Sequence, residues 1–513
     1  MLVCLTGVSG NMGHAALKEL VLYDKIDKLR VFILKNDPLL KRVKKDLKKY
    51  KNKIEVFYGN LANKNDVEEF LKDSNYIVNM AAVIPPKSDK FPKLAIECNE
   101  IGVKNIVSVI EGMDKQPKLI HIASVALYGN RGEAHPYGRV GDPLLVSPFD
   151  IYSVTKMRGE LAVLESKIKY YAILRQSAML HEYMLMDNIS DGLMFHTAFN
   201  APLEWVTQED SGRLIKNIIK RDIEKNDLDK IFWKRVFNIG ASAENRITGY
   251  TTLNDGFKLM GGDAKHMFKP NFNAVRNFHG MWFYDSYQLE DLFHYQIDTC
   301  KDYWARMKKK NWYYTFGRIV PQSLISKLVI QRLFKDSNSI KYWYKHKDLA
   351  KMYAAFGGIE KYEALGTNWD NFNLIDDGVL SNGTKINLAE YKDIKNAKLI
   401  DYGYDIDKDI YELKEVDFKN IALLHGGKMK GEFIDLFTPV LFENQDHEEF
   451  YMKPYSVYAG HWYNITYREY KWDFDRLSKK DKLYASIWYD SHEKNEDKLY
   501  YVDQDFNAHM EDI

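Results

Sequence analysis

Along the first part of the chain, short β-branched and aliphatic runs alternate with stretches in which apolar residues recur at helical spacing. Strand-like runs fall at Leu2–Leu5, Leu29–Leu34, Ile54–Tyr58, Tyr76–Met80, Leu119–Ala123, Tyr170–Leu174 and Val236–Ile239. Helical spacing is clearest over Met12–Tyr23, Asp66–Lys72, Pro92–Met113 and Tyr152–Lys167. Apolar runs that leave no polar face, each followed by a helix, predict parallel strands joined by right-handed crossovers. The expected fold class is α/β: a Rossmann-type doubly wound parallel sheet in residues 1–300, followed by a smaller C-terminal α+β region. Ligands of such a sheet sit beyond the carboxyl ends of its strands.

Past residue 300 the pattern loosens, and we read 301–384 as a mostly helical connecting region and 385–513 as the C-terminal α+β domain. Between Lys301 and Ala350 twelve Lys/Arg stand against Asp302, Asp336 and Asp348, interleaved with Trp304, Trp312, Tyr313, Tyr314, Trp343 and Tyr344. From Gly431 to Phe450 the charge reverses, with Glu432, Asp435, Glu443, Asp446, Glu448 and Glu449 and no cation. The expectation is that the two segments face each other. Gly317–Lys335 carries Ile319, Val320, Leu324, Ile325, Leu328, Val329 and Leu333 among basic residues. An amphipathic segment lying on a membrane is one reading; packing against a domain is the preferred one.

Composition narrows the classes. The chain has 513 residues, 45% hydrophobic and 28% charged, with a formal net charge of +1, so it can bury real cores and has no global field for nucleic acid. No run of uncharged apolar residues is long enough to span a bilayer. The N-terminus lacks a secretory pattern, and Cys4, Cys98 and Cys300 form no CxxC pair. A cytoplasmic protein without a disulfide framework or a metal site is expected.

The chemistry begins with Thr6-Gly7-Val8-Ser9-Gly10-Asn11-Met12-Gly13, set between a predicted strand and a predicted helix. Gly7 allows the tight turn, Gly10 the approach of a pyrophosphate and Gly13 close packing of helix on strand, while the helix amino end favours the anion. A second signal is Tyr152-Ser153-Val154-Thr155-Lys156, whose Tyr and Lys share one helical face. An adjacent ammonium favours the phenolate of a group that otherwise titrates near ~10. Ser124 closes the run Leu119–Ala123, where a hydroxyl can polarise a substrate carbonyl, and Ala81 and Ala82 follow Asn79 where a ribose would pass. The second strand ends Lys35-Asn36-Asp37, without an acid at its tip. Lys35, helped by Lys41 or Arg42, favours NADP, with NAD as the alternative if Asp37 takes the ribose.

Together these residues resemble the extended short-chain dehydrogenase/reductases, which include nucleotide-sugar epimerases and dehydratases and 3β-hydroxysteroid dehydrogenases. TGVSGNMG is similar to their TGxxGxxG, NMAAVIPP to their HxAA segment, IASVALYG to SSxxVYG, YSVTK to YxxxK and AILRQSAML to LRPxxVYG. The resemblance covers Met1 to Cys300 and implies Tyr152 as acid/base, Lys156 as its modulator and ribose ligand, Ser124 as carbonyl-orienting donor and Asn99 as support. It further implies that Gly7, Ser9, Gly10, Asn11, Met12, Gly13, Lys35, Asn60, Leu61, Ala81, Ala82, Tyr152, Lys156 and Gln176 bind cofactor. Asn79, Gln176 and Asn60 depart from the family's usual histidine, proline and aspartate. A homodimer is implied through Pro92–Met113 and Tyr152–Lys167, the pair that such proteins pack into four helices. The C-terminal stretch around His447 and His461 resembles a treble-clef module without its cysteines.

The expected activity is NAD(P)-dependent interconversion of a secondary alcohol and a ketone on a small-molecule substrate. A steroid- or terpenoid-like alicyclic is suggested by the aromatic, Met-rich stretch Met179–Trp205. The alternatives are a nucleotide-sugar epimerase or dehydratase, disfavoured by the absence of Lys and Arg between Met179 and Glu209, and a non-catalytic dinucleotide sensor or scaffold.

Overall fold

In the computed structural model, which describes residues 1–188, 190–277 and 279–513, the alternating runs form a seven-stranded sheet. Its strands are β1 (Leu2–Thr6), β2 (Lys28–Ile33), β3 (Ile54–Tyr58), β4 (Tyr76–Asn79), β5 (Lys118–Ser124), β6 (Tyr171–Gln176) and β7 (Arg235–Ile239). They lie in the order β7-β6-β5-β4-β1-β2-β3, and every pairing is parallel. Leu5 of β1 sits opposite Val31 on one side and Val78 on the other. The order reverses between β1 and β4, the switch point at which such sheets open a crevice.

The crossover helices are α1 (Asn11–Leu20), α2 (Leu40–Lys49), α3 (Lys64–Leu71), α4 (Gly102–Glu111), α5 (Ile151–Leu164) and α6 (Gln208–Lys225). Period-two alternation sends Val3 and Leu5 to the face covered by α1 and α6, with Leu17, Ile215 and Ile218. Cys4 goes to the opposite face with Phe70, Ile106 and Val154 of α3, α4 and α5. With both faces covered, the central strands β1, β4, β5 and β6 bury both sides and read as near-continuous apolar runs, whereas the edge strand β3 exposes Glu55 and Tyr58.

The predicted single helix Pro92–Met113 is broken. An α turn at Pro92–Ala95 passes into a π-helical segment, Ile96–Ile101, before α4 begins. Apolar spacing gives a helix's existence and face; a single-turn π insertion changes the register without erasing that spacing.

Beyond the sheet, helices at Cys300–Lys310, Ile340–His346, Leu349–Phe356 and Ile359–Leu365 precede two small antiparallel sheets. The first joins Lys428–Met429, Val440–Glu443 and Glu449–Met452; the second joins Lys471–Trp472, Lys498–Val502 and Ala508–Asp512. Phe418, Tyr455, Trp462 and Trp472 belong to the same apolar cluster as Ile106 and Val154, so this region shares a core with the α4–α5 side of the large sheet.

Three expectations meet the structure here, and the last two change. No residue of α5 is exposed. Arg158 donates to the carbonyls of Thr466 at 2.8 Å and Glu469 at 3.1 Å, and Lys453 Nζ donates to the Leu164 carbonyl at 2.9 Å. The chain's own 453–471 segment thus covers the helix face on which the homodimer expectation rested. Second, the acidic Gly431–Phe450 segment pairs with neighbours in its own region, not with Lys301–Ala350: Glu443 with Lys428 and Lys430, Glu449 with Lys430, Asp446 with Arg476 and Lys480, and Glu448 with Arg468. Chain proximity makes those pairs entropically cheap. Third, Gly317–Lys335 is not one packed helix. Short 3-10, α and π turns bury Ile325, Ile330 and Leu333 and leave Ile319, Leu324 and Leu328 exposed.

Candidate functional site

The carboxyl ends of β1, β4, β5 and β6 open into a cavity of about 690 Å³. At one end lies the glycine turn. Gly7 has φ +70°, and a Cβ there would stand 2.6 Å from the Met80 carbonyl. A Cβ on Gly13 would stand 2.1 Å from the Gly7 carbonyl oxygen. Thr6 closes the approach: its hydroxyl donates to Asn79 Oδ1 at 2.6 Å and accepts from the backbone N–H groups of Met80 and Ala81 at 3.1 Å each. No side chain caps the amino end of α1 at Gly10. Free N–H groups and the helix dipole therefore face the cavity beside backbone that admits no Cβ, a cradle that fits a dinucleotide pyrophosphate.

The middle of the cavity holds the reactive groups. Asp150 caps α5, accepting from the Ser153 N–H at 3.0 Å, and so sets the first turn that presents Tyr152. Burial pushes the Tyr152 phenol up to about 12; the Ser124 hydroxyl, hydrogen-bonded to it, opposes this, and the Asp150 charge adds to it. One turn on, Lys156 donates its ammonium to the Ile122 carbonyl, and burial brings it down to about 8 against the pull of Cys98 and Glu160. The phenol thus carries a proton at neutral pH and Lys156 titrates near it.

The cavity wall brings together Gly7, Gly10, Asn11, Met12, Gly13, Ala82, Ser124, Tyr152, Lys156 and Gln176. The other expected residues are not on it. Asn99 is wholly buried behind it, where it accepts from the Val83 N–H at 2.8 Å and donates to the Val83 carbonyl at 3.0 Å and to Thr155 Oγ1 at 3.2 Å. It ties the β4 loop to α5. Ala81 is held by Thr6, and Leu61 is buried with its carbonyl on Asn105. Asn60 and Lys35 are exposed outside the cavity, and Ser9 is half-buried in the turn. Asn79 and His121 pair inside the sheet at 3.1 Å, so the replaced family histidine has become an interior contact.

The far end of the cavity was not legible as a motif. Asp89, His196, Arg276, His279, Trp343 and Lys351 line it, with Val502, Phe506 and Ala508 from the last sheet. Burial, with the charges of Asp150 and Asp191, raises the Asp89 carboxyl to about 7. Burial lowers His196 to about 4, and its ring stands 4.9 Å from that of Trp343. The cations at this end are already paired: Lys90 with Asp191, Lys351 with Asp348 at 3.4 Å, and Arg276 with Glu496 through two 2.7 Å hydrogen bonds. Only the cap Asp150-x-x-Ser153 carried a sequence signal.

Behind α5, Glu160 accepts from Arg175 Nε at 3.2 Å and faces His461 Nε2 at 3.1 Å, while Arg175 donates to the Ala459 carbonyl at 2.7 Å. His447 is exposed and stands 3.1 Å from Glu443. Among the described residues no group of three or more His, Cys, Asp or Glu side chains is arranged to hold a metal ion.

Residues 3–183 match the model of the NAD dependent epimerase/dehydratase family. No curated protein matches the chain. Solved structures similar to it include UDP-glucuronic acid 4-epimerase from Bacillus cereus, at 18% identity over 60% of this chain and 100% of that one, with a TM-score of 0.47. They also include dTDP-glucose 4,6-dehydratase from Bacillus anthracis, at 18% identity over 61% of this chain and 98% of that one, TM-score 0.47. The dTDP-glucose 4,6-dehydratase from Streptomyces venezuelae is 15% identical over 61% of this chain and 98% of that one, TM-score 0.47.

Proposed function

We propose, from the match of residues 3–183 to the model of the NAD dependent epimerase/dehydratase family, that this chain is an oxidoreductase interconverting a secondary alcohol and a ketone with a nicotinamide dinucleotide. The observation that carries the reading is one continuous cavity whose wall runs from the glycine turn through Ser124, Tyr152 and Lys156 to the end lined by Asp89, His196 and Trp343. Gly7, Gly10, Asn11, Met12 and Gly13 would hold the pyrophosphate and Lys156 the ribose; when bound, the cofactor supplies or accepts the hydride. Tyr152 Oη gives its proton to the carbonyl oxygen in reduction and takes it back in oxidation. Ser124 Oγ holds that oxygen in place, and a phenol held up to about 12 stores the proton for the reductive direction. Asn99 keeps α5 in register.

The phosphorylated cofactor, NADP, is supported by Arg42, whose guanidinium donates to Asn11 Oδ1 at 3.2 Å, beside the cradle. Lys35 lies further out. The substrate we infer is an apolar alicyclic, because the far end is lined by Met184, Leu193, Met194, Leu203 and Trp205 and its cations are spent in ion pairs. The Met179–Trp205 stretch from which the sequence suggested this includes Ile189, which lies outside the described residues. The family's own description favours a second reading, a nucleotide-sugar epimerase or dehydratase. That reading requires a cation released from one of those pairs to meet the pyrophosphate.

Cofactor titration followed by a screen of apolar ketones and nucleotide sugars tests both. Tyr152→Phe is expected to lower turnover by roughly 10²–10⁴-fold with cofactor affinity nearly unchanged. Full turnover in that variant overturns the mechanism, and cofactor binding without turnover of any substrate favours a sensor.

A further inference from the structure

We propose that the segment from Lys308 to Lys335 is a docking face for an anionic lipid bilayer. The inference starts from exposure. Ile319 is 83% exposed, Trp312 62%, Leu328 59% and Phe316 57%, and Tyr313, Val320 and Leu324 are exposed with them. Large apolar side chains so close together in sequence and so open are costly in water, and a single folded chain normally covers them. Here the turns are anchored from beneath. Ile325, Ile330 and Leu333 enter the core that holds Phe257 and Phe268, and Ser326 donates to the Met267 carbonyl at 2.8 Å. The exposed set is therefore the outward side of an anchored segment, and no described residue covers it.

Charge selects the occupant. From Tyr303 to Lys335 there are eight cations and no acid, in a chain whose net charge is +1. Arg306 and Lys310 are paired, with Asp298 and Glu182, but Lys308, Lys309, Arg318, Lys327 and Lys335 are exposed and form no ion pair among the described residues. Aromatic rings and aliphatic side chains interleaved with unpaired cations match the boundary of an anionic leaflet, where the rings enter the headgroup region and the cations meet phosphate and carboxylate. Among the described residues no helix is long and apolar enough to cross a membrane, so the contact is one of lying on the surface.

The face adjoins the cavity. Lys310 pairs with Glu182, Tyr303 donates to the His181 carbonyl at 2.9 Å, and Tyr314 donates to Met186 Sδ at 3.1 Å, while His181 and Met184 line the cavity. Docking would set this wall of the cavity toward the bilayer, from which an apolar alcohol or ketone could enter. That consequence rests on the oxidoreductase reading; the binding itself does not.

The test is co-sedimentation of the full chain with phosphatidylcholine vesicles, with and without phosphatidylserine, read without any turnover assay. Wild type is expected to sediment with the phosphatidylserine vesicles and to be released by salt. Charge reversal at Arg318, Lys327 and Lys335 together is expected to weaken binding on the order of a hundredfold. Ile319→Glu with Phe316→Glu should weaken it at least roughly tenfold. Both variants change exposed side chains, and an unchanged thermal melt and far-UV circular dichroism serve as the folding control. The proposal is overturned if wild type stays in solution with phosphatidylserine vesicles at low salt, or if both variants sediment as wild type does. It is equally overturned if light scattering shows lipid-free self-association that Ile319→Glu abolishes, which would make the face an interface between copies.

Discussion

The two ends of the cavity are built on different principles. The glycine-turn end comes from one stretch of chain, in which strand, turn and helix follow within Leu2–Leu20 and the groups facing the cavity are backbone. The far end comes from segments as distant as Asp89, His196, Arg276, Trp343 and Phe506, and its chemistry is carried by side chains already committed to one another. Backbone N–H groups at a helix start are fixed as soon as the local fold forms, so a glycine pattern suffices to announce them. A side-chain pocket exists only after tertiary packing, and no local pattern predicts it.

If the ends depend on each other through packing, the largest effect should come from the buried charges that join α5 to the C-terminal region. Glu160 and Arg175 are wholly buried, Arg175 holds Glu160 down to about 2, and His461 also donates to that carboxylate. Glu160→Ala would strand a buried guanidinium and is expected to cost ~3–5 kcal/mol. Chemical denaturation measures it. A loss near zero would show that the C-terminal region is held to α5 by its apolar core alone.

Gly13→Val strikes the glycine-turn end alone. Its Cβ would overlap the Gly7 carbonyl oxygen, backbone that cannot turn aside, so α1 must shift away from β1. A loss of ~1–3 kcal/mol in stability is expected, with a larger proportional loss of cofactor affinity. Titration of cofactor against the melting curve separates the two, and an unchanged dissociation constant would remove the glycine turn from the binding site.

These contrasts explain what the sequence carried. The strands Leu2–Thr6 and Tyr76–Asn79 were readable because burial on both faces leaves a near-continuous apolar run, and Ser124, Tyr152 and Lys156 were readable because β5 and α5 place them by local geometry. Asn99, expected as support, stands behind the cavity wall, where the π-helical turn holds it against Val83 and Thr155. Lys35 and Asn60 were assigned by position in a motif and project to solvent, because loop direction is set by neighbours far along the chain. Covering of α5 by residues 453–471 was invisible for the same reason: an apolar helix face does not say which element meets it.

At the junction of the two ends, Lys156 gives a pH test. Its folded value, about 8, lies below its ordinary value of 10.5. Below about 8 both folded and unfolded states hold the proton, and the folded state bears a buried cation. Between about 8 and 10.5 the unfolded state holds more protons, so the wild-type cofactor-free protein gains stability as pH rises through that window. In Lys156→Met this contribution is absent, so the stability difference between variant and wild type should shift in favour of wild type by ~1–3 kcal/mol from pH 8 to 10.5. Thermal melts at several pH values read it. A parallel pair of curves would mean that Lys156 is not desolvated in the cofactor-free protein.

The smallest expected effect belongs to the far end. The Asp89 carboxyl is raised to about 7 by burial, reinforced by Asp150 and Asp191 and opposed by Ser88 and Lys351. Below that value it is neutral and the wall it shares with Pro85, Met194 and Trp343 accepts an apolar ring; above it, a carboxylate stands there and draws water in. For an apolar substrate KM should therefore rise with pH through about 7 while kcat stays set by Tyr152. Asp89→Asn should flatten that rise, with a change of at most roughly tenfold, since the group lines the cavity and does not touch the transferred proton. Steady-state kinetics from acid to alkaline pH give KM and kcat separately. If Asp89→Asn flattens kcat and leaves KM sloping, the carboxyl acts on the proton-transfer step, and the proposed division between a glycine-turn end that does the chemistry and a far end that only receives the substrate fails at this residue.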